Sequence, residues 1–396
     1  MHIFRNPFYI NIISFSIVIV IYQLGWSALY PPLSFGLILF FLITFAASFL
    51  FGSIIGKFKP LGFIQTNRDD QAINVGNTIF GIYVLYIVEF LYNNGIPLIL
   101  VFTSKTYDYR DFGIRTLHPI LETFSSFFSV YVFYLYLSIK DRKYLLYLFS
   151  LLIFPIILYH RGMLIMDLTS IFFVYLYYVD NIKPHVFAII SILVIVGLYL
   201  FGFAGNLRST KNSSSEYIME ISHPTEKFKN SLVPNEYIWS YLYVTSPLAN
   251  LQTTINNNPR TNSHFKEFIR TELCPDFISK RICPVPIQEQ ENNNLISPNF
   301  MASTVYARSY SLLGWLGVYL IFIFNACLIF IYLFLLRKIN RFYVVGISIL
   351  CTYVVYNTFT NMFYFSGLSF QLLYPFIISG FLFLLSMVKQ KKALRN

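Results

Sequence analysis

Charge is what this sequence has least of: Asp, Glu, Lys and Arg make up 12% of its 396 residues, about half the share of a soluble domain. That deficit excludes a chain whose outside is mostly in contact with water. Nucleotide-binding signatures are missing as well, with neither a Walker loop nor a dinucleotide fingerprint anywhere in the chain. No soluble domain is left over to hold ATP or a nucleotide sugar on an inner face. Cysteine numbers only four and histidine six, and His118, His160, His223 and His264 are scattered without metal-ligand spacing. Neither a metal nor a cofactor is therefore expected. There is no internal repeat, and no signal-peptide cleavage pattern interrupts the first apolar stretch, which ends in Tyr30-Pro31-Pro32. Any chemistry must use a substrate that is already energised and already in the membrane.

What remains is apolar and aromatic: 56% hydrophobic residues, with 43 Phe and 31 Tyr. About 20 apolar residues cross a hydrocarbon layer as a helix, and ten segments qualify. They are 8–29, 33–55, 73–92, 118–139, 144–159, 163–179, 186–205, 312–336, 342–360 and 366–388. The fold class expected is all-α, a polytopic helical membrane protein. Residues 1–205 form a first bundle of seven spans, 206–306 a long extracytoplasmic loop carrying short helices, and 307–396 a C-terminal bundle of three spans. With the N-terminus cytoplasmic, the inner connections hold fifteen of the 29 Lys and Arg against four of the 18 acids. The whole excess of +11 then lies on the inner side, as the positive-inside tendency requires, and both termini are cytoplasmic. The basic balance is a topology signal and implies no nucleic acid partner.

Few charged residues interrupt the spans, and they share a depth. Glu89, Glu122 and Asp167 lie near the outward ends of their helices, and Arg161, Arg208 and Arg308 sit just above them. Ionisable groups at such positions usually face an interior or a wet cavity. Guanidinium forks suit a phosphate or diphosphate; the plainer alternative is snorkelling arginines paired with those three carboxylates. The long loop opens Ser-rich and turns aromatic from Glu236 through Trp239, Tyr241 and Tyr243 to Pro247 and Asn250. Aromatic faces there could stack on sugar rings or anchor the loop at the interface. Cys274 and Cys283 lie in the same loop, where an oxidising exterior permits a disulfide.

The stretch Trp239-Ser240-Tyr241-Leu242-Tyr243-Val244-Thr245-Ser246-Pro247-Leu248-Ala249-Asn250-Leu251 resembles the YxYxxxPLxNL segment of the Wzy-type O-antigen polymerases, the oligosaccharide repeat-unit polymerases of bacterial surface polysaccharide assembly. Arg161-Gly162, Gly205-Asn206-Leu207-Arg208 and Leu313-Gly314-Trp315-Leu316-Gly317 add to the likeness. One departure is plain: residues 206–313 contain no glycine, so the Arg with a Gly eleven positions later that some members carry is absent from the long loop. The resemblance implies a membrane-embedded, metal-independent glycosyltransferase of the bacterial inner membrane. It would move a growing glycan from undecaprenyl diphosphate to the non-reducing end of another lipid-linked repeat unit, on the outer face. Lipid-linked oligosaccharide, membrane lipid and a chain-length regulator protein are the implied partners. Arg161 and Arg208 would stabilise the departing diphosphate, with Glu236 or His223 as base. Arg308, Trp239, Tyr241, Tyr243 and Asn250 would bind substrate. An O-antigen ligase and a flippase of lipid-linked oligosaccharide are the rival readings.

Overall fold

The computed structural model describes residues 2–57, 62–63, 65–66, 73–103, 112–179, 183–209, 216–257, 264–282 and 295–393. Among these the chain is nearly all helical and forms no strand. The helices are α1 (Pro7–Tyr22), α2 (Phe35–Lys57), α3 (Val75–Tyr92), α4 (Pro97–Thr103), α5 (Leu117–Ile139), α6 (Lys143–Ile157), α7 (Arg161–Tyr178) and α8 (Pro184–Ser209). In the long connection come α9 (Glu216–Ser222), α10 (Glu226–Lys229), α11 (Tyr237–Asn256), α12 (Phe265–Glu272) and α13 (Asp276–Ile282), followed by α14 (Ala307–Leu336), α15 (Tyr343–Tyr356) and α16 (Ser366–Ala393).

Six stretches are long and apolar enough to cross a membrane: Phe35–Lys57, Val75–Val101, Leu117–Ile139, Pro184–Phe203, Ala307–Leu336 and Ser366–Val388. Three more apolar helices, Pro7–Tyr22, Lys143–Ile157 and Tyr343–Tyr356, are shorter. All ten segments picked out by apolar run length fall on helices, so a membrane-embedded chain is the plain reading.

The helices differ in what surrounds them. α5 is the hub: α3, α6, α7, α15 and α16 all pack on it, and Phe127, Phe128, Val130, Val132 and Leu135 are fully buried there. A second core joins α1, α2, α11, α12 and α14 through Phe15, Phe40, Leu248, Leu251, Phe268 and Tyr306. Near-complete burial of each such side chain is worth about 1.5–3 kcal/mol where the alternative is water; against lipid the gain comes from close packing instead. α8 is the opposite case. Phe187, Ile192, Leu193, Val194, Ile195 and Leu200 are all exposed, as suits a helix whose solvent is lipid.

Two glycines interrupt what run length reads as continuous helix. The first span was expected to reach Leu29, but α1 stops at Tyr22. Gly25 takes φ +64°, which a helix cannot continue, and the chain pairs elsewhere: Thr225 N–H donates to Trp26 O at 3.0 Å and Ala28 N–H to His223 O at 2.8 Å. The Ser27 hydroxyl donates to Ser222 O at 2.6 Å. α14 is broken at Gly314 (φ 60°, ψ −146°), a region of backbone space open essentially to glycine alone.

Candidate functional site

The turn between α6 and α7 puts a cation where the long connection folds over the bundle. Tyr159 takes φ +59° and His160 N–H donates to Pro155 O at 2.8 Å, so the chain reverses and α7 begins on Arg161. The guanidinium lies 5.6 Å from the centre of the Tyr159 ring, within cation–π range. Among the described residues no carboxylate pairs with it. The positive end of the α7 dipole is at the same place, and the nearest carboxylate contact there is spent on the neighbouring His160, which bonds Glu122.

Arg161 lines a cavity of about 380 Å³. Its other walls are Phe201 and Gly205 from the end of α8, Tyr217 and Ile221 from α9, Trp239, Tyr243 and Ser246 from α11, Asn299 to Ala302, and Phe359. The α11 contributors recur at intervals of four and three, one stripe of a 3.6-residue helix. Tyr243 stands edge-on to Phe201 at 4.9 Å and stacks with Phe359 at 6.4 Å. Trp239 Nε1 donates to Asn206 Oδ1 at 2.6 Å, which fixes the indole in the wall. α8 reaches this place because it packs very closely on α11: a Cβ on Gly202 would fall 2.0 Å from the Glu236 carbonyl oxygen.

Of the residues singled out by sequence, the structure brings Arg161, Trp239 and Tyr243 together in one wall. Arg208 lies in the last turn of α8, three residues beyond Gly205; its side chain is outside the described residues. Tyr241 points the other way. It is buried against Trp26 and Tyr30, at 5.2 and 5.5 Å, and its hydroxyl accepts from Trp26 N–H at 3.2 Å. These contacts pack the loop and it does not line the cavity; burial pushes its phenol up to about 12. Asn250 is fully buried, and it too lies outside the wall. Glu236 is half-buried at the start of α11 and His223 is exposed in a left-handed turn; neither lines the cavity.

The alternative in which arginines pair with Glu89, Glu122 and Asp167 is not what the contacts among the described residues show. Glu89 bonds His118 Nδ1 at 2.9 Å, and Glu122 bonds His160 Nδ1. Asp167 accepts from the Ser126 hydroxyl at 3.2 Å; its other oxygen has no partner among the described residues. Arg308 instead meets Glu267 at 3.5 Å and Glu272 at 3.7 Å, both on α12. A buried carboxylate needs a partner that reaches it; the histidines at the adjoining helix starts are nearer than the arginines. No group of three or more His, Cys, Asp or Glu among the described residues could hold a metal. Cys283 lies outside the described residues, and with it any pairing to Cys274.

Compared with family models, with curated proteins and with solved structures, the chain has no match. The site is therefore read on its chemistry. A guanidinium at a helix start with no carboxylate partner among the described residues recognises an anion, and six aromatic side chains lining the same cavity offer faces to sugar rings or an isoprenoid chain. Histidine and carboxylate are both absent from the residues lining it. The sequence missed Phe201, Tyr217, Ile221, Phe359 and the segment 299–302. Only folding brings these distant stretches to α7.

Proposed function

We propose that the chain crosses a bacterial inner membrane about ten times, with both termini cytoplasmic, and polymerises lipid-linked oligosaccharide repeat units on the outer face. The observation that carries this reading is Arg161, a cation with no carboxylate partner among the described residues, in an aromatic cavity under the long connection. An acceptor hydroxyl of one repeat unit attacks the anomeric carbon of the glycan on another. The bond from that carbon to the carrier breaks, undecaprenyl diphosphate leaves with the electron pair, and the proton of the attacking hydroxyl passes through water to an oxygen of the departing diphosphate. Charge grows on the diphosphate in the transition state, so a fixed guanidinium stabilises it there more than in the ground state. Arg208, in the last turn of α8 beyond Gly205, is the second cation assigned to this task. Trp239 and Tyr243 take the glycan.

The test is complementation of a deletion strain at matched membrane levels, read as polymer length on a gel. Arg161→Ala should cut polymer formation by roughly a hundredfold to a thousandfold. Arg161→Lys should rescue little, because an ammonium cannot reproduce paired hydrogen bonds. The deletion strain itself should show a single-repeat cap; unligated polymer would indicate a ligase, and no repeat on the outer surface a flippase. Wild-type polymer from Arg161→Ala would sink the diphosphate site.

A further inference from the structure

Asn250 touches no part of the cavity, yet every polar atom of its amide is spent on the segment that forms one wall. Its Nδ2 donates to Phe300 O at 2.6 Å and to Ala302 O at 2.7 Å. Its Oδ1 accepts from Ile296 N–H at 2.8 Å. The segment itself lies outside the helices, so those backbone groups have no ladder or helix to satisfy them. Buried backbone groups must be paired somewhere, and here one side chain takes three. Asn299, Phe300, Met301 and Ala302 all line the cavity. Asn250 lies one turn beyond Ser246 on the stripe that already carries Trp239 and Tyr243, so one face of α11 supplies a wall and also the tether of the wall facing it. Phe300 completes the tether by packing among Ile218, Phe228, Ile238 and Leu242.

We propose that Asn250 is a positioning residue: it latches 296–302 in place and so sets the shape of the cavity without touching what the cavity holds. The ligand arm of the test rests on the anionic carrier assigned above; the latch itself does not. Asn250→Asp keeps the acceptor for Ile296 N–H but turns an oxygen toward two carbonyls, converting two attractions into repulsions. Ile296→Pro removes one of the three bonds from the other side and leaves α11 intact, so a folding failure of one variant leaves the other to decide.

Hydrogen exchange on purified protein in detergent micelles reads the latch. In both variants the peptide covering 295–306 should exchange at least tenfold faster, while α5 and α15 keep their protection and the melting temperature holds within a few degrees. Binding of undecaprenyl diphosphate, followed by Trp fluorescence with Trp239→Phe as blank, should weaken at least tenfold. A purely structural residue would not lower affinity at constant melting temperature. Unchanged exchange at 295–306 in Asn250→Asp overturns the latch. Faster exchange with undiminished affinity overturns its role in shaping the site. If wild-type protein itself fails to bind the probe, the carrier assignment falls, and the exchange result still decides the latch.

Discussion

Glu272 ends an eight-residue helix in the long connection and is completely buried. Burial is the dominant influence on its carboxyl and pushes it from an ordinary 4.5 up to about 7. Arg308 and hydrogen bonds from Asn361, Ser309 and Thr271 hold it from rising further. The Asn361 amide is at 3.0 Å and the Ser309 hydroxyl at 3.2 Å. Because the folded value lies above the unfolded one, the favourable contribution is full below about pH 4.5. It is lost as pH rises through about 7. At roughly 1.4 kcal/mol for each pH unit between the two values, the change is on the order of 3 kcal/mol. Glu272→Gln, which titrates nowhere in this range, should flatten the fall in thermal stability across that window. Parallel pH curves for the variant and the wild type would remove Glu272 as their source.

At the scale of elements, α11 shows both what was legible and what was not. Its aromatic stretch was plain in the sequence. Reading the stretch as short helices on the bundle left Trp239, Tyr241 and Tyr243 as one group. A single 20-residue helix separates them by its own period: 239, 243, 246 and 250 share a face, and Tyr241 lies on the opposite one. The ten apolar runs were legible because lipid forces a helix wherever the backbone must satisfy itself. The histidine partners of Glu89 and Glu122 were not, since each comes from another helix start or turn whose position only packing decides. Three variants follow. Tyr243→Ala should reduce polymer formation with little loss of fold, while Tyr241→Ala should destabilise by about 3–5 kcal/mol, as loss of a buried aromatic does; the reverse pattern would place the site on the wrong face. Gly202→Ala puts a methyl into the Glu236 carbonyl, and overpacking of this kind costs about 1–3 kcal/mol. It should pry α8 from α11 and lower polymer formation even though position 202 is not in the cavity wall. Wild-type activity would mean that α8 adjusts freely and its packing does not set the wall.

For the whole molecule, contacts between connections sort them into two sides without reference to any membrane. The Arg5 guanidinium donates to Val179 O at 3.1 Å, and the Lys140 ammonium lies 4.0 Å from the Tyr178 ring centre. The N-terminus, the α5–α6 turn and the end of α7 therefore share one side. On the other, residues 26–28 bond residues 222–225, Asp276 N–H donates to Tyr364 O at 2.7 Å, and the Arg281 guanidinium donates to Thr116 Oγ1 at 2.8 Å. The first group coincides with the connections rich in Lys and Arg, and the second with the long connection that closes the cavity. Charge and contact thus divide these described connections alike, and on the proposed reading the side rich in Lys and Arg is the cytoplasmic one. Reporter fusions after Lys59, Lys143, Lys338 and Lys392 should report cytoplasm, and fusions after Arg110, His160 and Lys229 the exterior. Lys229 is the decisive position, because it follows the segment tied to residues 26–28 and stands within the connection that carries Trp239 and Tyr243. A cytoplasmic signal there would put the cavity on the inner face, and the proposed outer-face polymerase reading would fall with it.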